Sequence, residues 1–278
     1  MLRKIKEILN KRKNDKFIEY LEGLGHSNII AKHIVELKNE GKYYTPLLNG
    51  FEEFTFEQLL QVYDALKNDV YDKEYYIPKY HYRQMYQITC ALKENVDVDK
   101  IINLKVNDSR VWKEVVNGLI ENIDLTKYAN EGYDEYQLKE IGLSIRDNIN
   151  LDYLNKSYKG FHIKHIRETL LLKKDIVPLL NPKFNEQQTK VISRCLSLGI
   201  DVKVLSDSRC DVRQMFEIIQ GIKSNLNISV YLDYAIPSET MGEIRESLMN
   251  KTFKRSDYFE FNEEENRFVI KDEFRKNM

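Results

Sequence analysis

The sequence predicts an all-α protein: an α-solenoid of about nine repeats of roughly 26 residues, each a helix, a turn and a short helix, with a small β-hairpin near its C-terminal end. Three observations predict it. An apolar pattern of helical period recurs at nearly constant spacing, a glutamine opens most of the repeats, and an Asp or Asn stands at a fixed distance beyond it. Composition agrees, since 42% hydrophobic and 31% charged residues with only five prolines and eleven glycines suit a folded, helix-rich chain rather than a disordered one.

With the glutamine position set to zero, the units start at Ile29, Gln58, Gln84, Val111, Gln137, His162, Gln188, Gln214 and Thr240, at spacings of 25 to 29 residues. Position +1 is apolar in every unit except at Thr189. Position +4 reads His33, Val62, Ile88, Val115, Ile141, Ile166, Ile192, Ile218 and Ile244, and position +8 is Leu or Ile throughout. Spacings of 1, 4 and 8 mark one face of an α-helix of roughly 12 to 14 residues.

Position +13 is Asp97, Asp124, Asn150, Asp175, Asp201 or Asn227 in the six central units, followed by apolar residues one and four positions later. That pattern predicts a short helix of one to two turns, N-capped by the Asp or Asn. The first two units are irregular, with Tyr71 at the cap column.

The glutamine itself reads as a helix cap. Three residues before it stand Thr55, His81, Asp134, Asn185 and Asp211, the spacing of a capping box. One residue earlier lie Phe54, Tyr80, Tyr133, Phe184 and Cys210, placed to staple the chain entering each helix. A ladder of ligand-binding glutamines is the functional alternative.

The unit resembles a short Q-[ML]-x-x-I helical repeat of low-GC Gram-positive bacteria and their plasmids and phages. The likeness is carried by Gln84-Met85-x-x-Ile88, Gln214-Met215-x-x-Ile218, Gly199-Ile200-Asp201-Val202 and Asp124-Leu125-Thr126-Lys127-Tyr128-Ala129, within about residues 52 to 250. The glycine ahead of the Asp column survives only at Gly199, so the join between the helices is expected to differ elsewhere. The resemblance implies no catalytic residues; it suggests a protein carried by a mobile element.

The array is assigned to residues 27–250, between an N-terminal region 1–26 and a C-terminal tail or hairpin 251–278. Residues 1–16 carry seven basic and two acidic groups, and Leu2, Ile5, Ile8 and Leu9 share one side of a basic amphipathic helix. That helix would cap the first unit, with a membrane surface or an acidic partner as alternatives. At the other end the alternation around Phe259–Phe261 and Phe268–Ile270 predicts the hairpin.

Function classes narrow by exclusion. No stretch reaches the roughly 18 apolar residues of a membrane span. Cys90, Cys195 and Cys210 lie far apart without a C-x-x-C pair, which suits a reducing cytoplasm, and Cys90 and Cys195, inside long helices, are expected to be buried unreactive thiols. No P-loop, dinucleotide, nucleophile-elbow or EF-hand pattern occurs, no cofactor is implied, and no carboxylate pair stands out for acid–base work. His162 and His165 lack the spacing of a zinc motif and read as surface histidines.

Two surface clusters remain. Residues 71–86 hold six tyrosines among cations, and Tyr76, Tyr82, Tyr86, Lys79 and Arg83 are the candidate partner-binding residues, with core or connector packing and base stacking as the alternatives. Residues 161–224 carry eleven basic and seven acidic groups, and Lys164, Lys173, Lys190, Arg194, Arg209 and Arg213 are the candidate nucleic-acid contacts if they converge on one face. The expected function is therefore a non-enzymatic interaction scaffold that binds another protein or protein complex. An adaptor, or an inhibitor directed for instance against a host defence complex, would fit; a nucleic-acid-binding helical repeat is the alternative.

Overall fold

Most of the long helices begin where the sequence supplies a side-chain cap, and they stop at a residue in the left-handed region. In the computed structural model, which describes residues 2–205, 207–263 and 267–275 and the side chains of all of these except 2–9, 51 and 267, the protein is mostly helical. Helix α1 spans Leu2–Gly23. Nine helices of 12 residues follow: α2 (Asn28–Asn39), α3 (Phe56–Lys67), α4 (Tyr82–Lys93), α5 (Ser109–Ile120), α6 (Glu135–Arg146), α7 (Gly160–Leu171), α8 (Glu186–Ser197), α9 (Val212–Lys223) and α10 (Ser238–Met249). The apolar stripe proposed at Leu2, Ile5, Ile8 and Leu9 lies outside the described side chains.

The capping boxes form as the spacing requires. Thr55, Asp134, Asn185 and Asp211 accept the N–H of the glutamine three residues on, and that glutamine's Oε1 accepts the cap residue's own N–H at 2.7–2.9 Å. In α4 the His81 Nδ1 accepts from Arg83 N–H at 3.3 Å, while Gln84 Oε1 accepts from His81 N–H. Ser27 caps α2 at Ile30, which moves the first unit one residue along from the register read at Ile29. Ile29 is exposed and Ile30, Ala31 and Ile34 are buried, so His33 is not a core position. The sequence register slipped because this unit carries Leu37 seven residues after Ile30 instead of eight.

All nine helices α2–α10 end alike. The residue at +11 is Gly41, Asp69, Asn95, Asn122, Asn148, Lys173, Gly199, Asn225 or Lys251, each with φ between +53° and +75°. Each is the left-handed residue of a Schellman motif: in α4, Asn95 N–H donates to Leu92 O and Val96 N–H to Ala91 O. Losing the glycine therefore does not change the join, contrary to expectation, because Asn and Asp tolerate the left-handed region. Lys173 and Lys251 tolerate it least. Lys173→Gly is expected to raise stability by roughly 0.5–1 kcal/mol, the relief of left-handed strain less glycine's entropy, and calorimetry should show Tm rising by about 2 °C.

Burial follows the columns. The residues at +4 from Val62 to Ile244 are fully buried, as are most of those at +1, including Trp112. A further column at +7 holds small residues: Ala65, Ala91, Gly118, Ser144, Thr169, Cys195, Gly221 and Ser247. A β-carbon on Gly118 would lie 2.7 Å from Ile123 O, and one on Gly221 would lie 1.9 Å from Tyr231 Oη. The connector that follows is thus pressed against this position.

The second element has the predicted one to two α-helical turns at Asp99–Ile102 and Thr126–Glu131, and is shorter, a 3₁₀ turn, at Val177–Leu179, Lys203–Leu205 and Ile228–Val230. The Asp or Asn at +13 accepts from the N–H two residues later in all six units, which is an Asx turn and not the longer reach of a helix cap. In the second unit Asp72 does this one residue later than Tyr71.

Strands β1 (Phe259–Asn262) and β2 (Arg267–Ile270) pair antiparallel with Phe259 opposite Ile270 and Phe261 opposite Phe268, as the alternation predicts. The chain divides into two compact units, residues 1–138 and 139–278. Within each, successive long helices pack together: α1 on α2, α2 on α3, α3 on α4 and α4 on α5 in the first, and α7 on α8, α8 on α9 and α9 on α10 in the second. No described helix is long and apolar enough to cross a membrane.

Candidate interaction groove

The glutamines that open the helices are buried, with their polar atoms spent inside the fold. Beyond the capping box, the amide of Gln58 donates to Pro78 O and Tyr80 O, that of Gln188 to Ser208 O and Cys210 O, and that of Gln214 to Tyr234 O and Ile236 O, at 2.6–2.9 Å. Gln84 donates to Asn107 O at 3.1 Å. Each amide therefore holds the chain entering the next helix, and a carboxylate could not do so because it has no donor. A ligand-binding ladder would need these groups free, which they are not.

His162 takes the glutamine's place in α7 and is fully buried, which corrects its reading as a surface histidine. Its Nδ1 accepts from Lys159 N–H at 3.4 Å, and its Nε2 edge faces the carbonyls of Asn181 and Phe184 without closing a hydrogen bond of good geometry. Burial holds the imidazole neutral, pushing its pKa down to about 4 from an ordinary 6.5. Because the unfolded chain takes up this proton first, stability is intact above pH 6.5 and is lost as pH falls towards 4, by up to about 3 kcal/mol. His26, also buried, is shifted in the same direction. His162→Gln is expected to keep the fold at neutral pH and flatten urea midpoints between pH 6.5 and 4; an unchanged slope would show that His162 is not the group responsible.

A set of half-buried ionisable residues binds one helix to the next. Glu36 accepts from Tyr63 Oη at 2.7 Å and pairs with Lys67, which pushes its carboxyl down to about 2 and the Tyr63 hydroxyl up to about 12 by burial and the adjacent charge. Arg167 sits between Glu140 and Asp147, and Arg245 bonds Glu217 at 2.7 Å. These contacts form a seam: position +3 of one helix meets position +5 of the next, as His33 stacked on Tyr63, Glu140 with Arg167, and Glu217 with Arg245.

Of the tyrosine cluster, Tyr76 is 2% exposed and its hydroxyl bonds Thr89 at 2.6 Å, so it is a core residue and leaves the contact set. Tyr86 is 52% exposed. Lys79 lies over the Tyr80 ring and Arg83 over Tyr82, so these cations cover their own neighbours. Lys79, Arg83 and Tyr86 are exposed and Tyr82 is half-buried, so four of the five candidates stay at the surface.

The basic candidates separate. Arg209 is bonded to Asp207 and stacked on Tyr234 at 3.8 Å, and Arg213 pairs with Glu239; both line a polar cavity of about 720 Å³ at the helix starts. Lys190 and Arg194 line a different groove of about 680 Å³ across α7, α8 and α9. Lys164 and Lys173 line neither. The six candidates thus divide between two cavities and neither of them, although Lys164 and Lys190 share the +2 column.

That second groove is built from departures from the columns. At +10, the residue ending each helix, seven units carry Glu40, Asn68, Glu94, Glu121, Asp147, Ser224 and Asn250, but α7 and α8 carry Leu172 and Leu198. At +2, five units carry lysine and α9 carries Phe216. The seam becomes His165 with Ser193 and Val191 with Ile219, all facing the groove. Leu172, Leu198 and Phe216 are 53%, 58% and 55% exposed. The sequence signal was there, in which residues break the repeat. No known protein family, curated protein or solved structure matches the chain. Among the described residues no group of three or more His, Cys, Asp or Glu side chains could hold a metal. Cys195, on the groove floor, is buried as expected and so is Cys210, and burial pushes their thiols up, Cys210 to about 11; Cys90, one position earlier in its helix, is only half-buried, contrary to expectation.

Proposed function

We propose that this chain is a non-enzymatic protein–protein interaction scaffold, an α-solenoid whose repeats lend one another the apolar contacts none supplies alone. The observation that carries this reading is the groove across α7–α9, where exposed apolar side chains replace the polar residues of every other unit at the +10 column. Such clustered exposure is what a binding surface requires and a solvated helix end does not. The three unpaired cysteines suit a reducing cytoplasm. The resemblance to mobile-element repeats adds the role of adaptor or inhibitor, a host defence complex being one class of target.

A nucleic-acid role is disfavoured by charge placement, since Arg209 and Arg213 are already paired. The test is capture of partners on the immobilised full chain, reconstitution with the purified partner by calorimetry, and parallel RNA and DNA titrations at two salt concentrations. A stoichiometric protein complex is expected. Steeply salt-dependent nucleic-acid binding without a protein partner would overturn the reading.

A further inference from the structure

We propose that the groove across α7, α8 and α9 receives an acidic amphipathic α-helix from a protein partner; this rests on the interaction-scaffold reading and specifies its site. Charge decides the partner's sign. Lys190, Arg194 and Lys223 line the groove, no carboxylate among the described residues pairs with any of them, and the one acidic residue lining it, Glu168, is bonded to His165 at 3.1 Å. Three unpaired cations against one engaged carboxylate favour Asp and Glu on the incoming segment and repel a basic one.

Spacing decides its form. Leu172 and Leu198 occupy equivalent positions on neighbouring helices, and packed helices lie about 10 Å apart, which is the rise of about seven residues of an α-helix. Apolar side chains at i and i+7 of a bound helix would meet the two leucines, with i+3 or i+4 between them, the anchor pattern of a helix held in a groove. Phe216, standing where five of the other eight units carry lysine, supplies the aromatic anchor.

The proposal is tested by selecting a displayed library of random peptides of roughly 16 residues on the immobilised full chain. Selected sequences are then titrated, as labelled peptides, into wild type, Leu172→Asn/Leu198→Asn and Lys190→Glu/Arg194→Glu. Both pairs are exposed and the asparagines restore the polarity of the other units, so unchanged melting curves will confirm the fold. The expected winners are rich in Asp and Glu with apolar residues at helical spacing, and each double variant weakens them about tenfold or more. Winners without acidic bias, full binding to the leucine double variant, or no enrichment would overturn the proposal. So would sedimentation showing a wild-type dimer that becomes monomeric in that variant, because a second copy would then be the occupant. A captured protein partner that binds the leucine variant unchanged would remove this site while leaving the scaffold reading standing.

Discussion

Gln214→Glu is expected to destabilise the C-terminal helices by roughly 3–5 kcal/mol at neutral pH, although glutamate and glutamine are interchangeable in an ordinary capping box. Gln214 is fully buried; its Oε1 accepts from Asp211 N–H at 2.9 Å, and its amide donates to Tyr234 O at 2.8 Å and Ile236 O at 2.6 Å. A carboxylate keeps the first bond. It loses the other two and sets a buried negative charge against two carbonyl oxygens, which is the costly way to break such a contact. Burial and those carbonyls would raise the new carboxyl's folded pKa above its unfolded value. The penalty is therefore present above that raised pKa and shrinks as pH falls through it, since the protonated acid regains one donor. Hydrogen exchange across α10 should show lost protection at pH 7.5 that partly returns near pH 5. Wild-type protection at pH 7.5 would mean that the amide's donors do not hold the next helix.

How much of this could be read beforehand depends on whether a residue's neighbours are local or distant. Caps are local, so Thr55, Asp134, Asn185 and Asp211 were assigned correctly from spacing alone, and the alternation about Phe259 and Phe268 located the hairpin. The outward half of each glutamine's role was hidden, because the carbonyls it meets lie 20 to 23 residues further along the chain. His162 was misread for the same reason: its type suggested a surface while its column dictated burial. The small column at +7 is present in the sequence but has no apolar periodicity, since it mixes Ala65, Gly118 and Ser144. The groove was also there as a set of exceptions. Charge and aromatic clustering point instead to Tyr76, which is core, and to Arg209 and Arg213, which have carboxylate partners in Asp207 and Glu239. In a repeating chain the columns report architecture, and the proposed groove rests on the residues that break an exposed column.

Gly221→Ala tests the same logic inside the fold and is expected to cost about 3 kcal/mol or more, against the sign of helix propensity. In an exposed helix interior alanine would be favoured by about 1 kcal/mol. Here the added β-carbon would lie 1.9 Å from Tyr231 Oη and 2.8 Å from Ile228 Cγ2, and Tyr231 is fully buried, so its ring has nowhere to swing. Overpacking of this kind outweighs propensity. Tyr231→Phe removes the nearest atom, and because that hydroxyl reaches only Glu217 O at 3.5 Å, its loss should be nearly neutral alone. The Gly221→Ala/Tyr231→Phe pair should then recover about 1 kcal/mol or more of the damage in urea melts, the coupling expected of two groups competing for one space. Gly118→Ala offers the contrast: the nearest atom there is the Ile123 carbonyl, 2.7 Å away, which no side-chain deletion can move. Trimming Leu125, the next neighbour, should leave that loss largely in place. If Gly221→Ala instead stabilised the protein, the turn after α9 would not be pressed against the +7 position, and the packing argument for that column would fail with it.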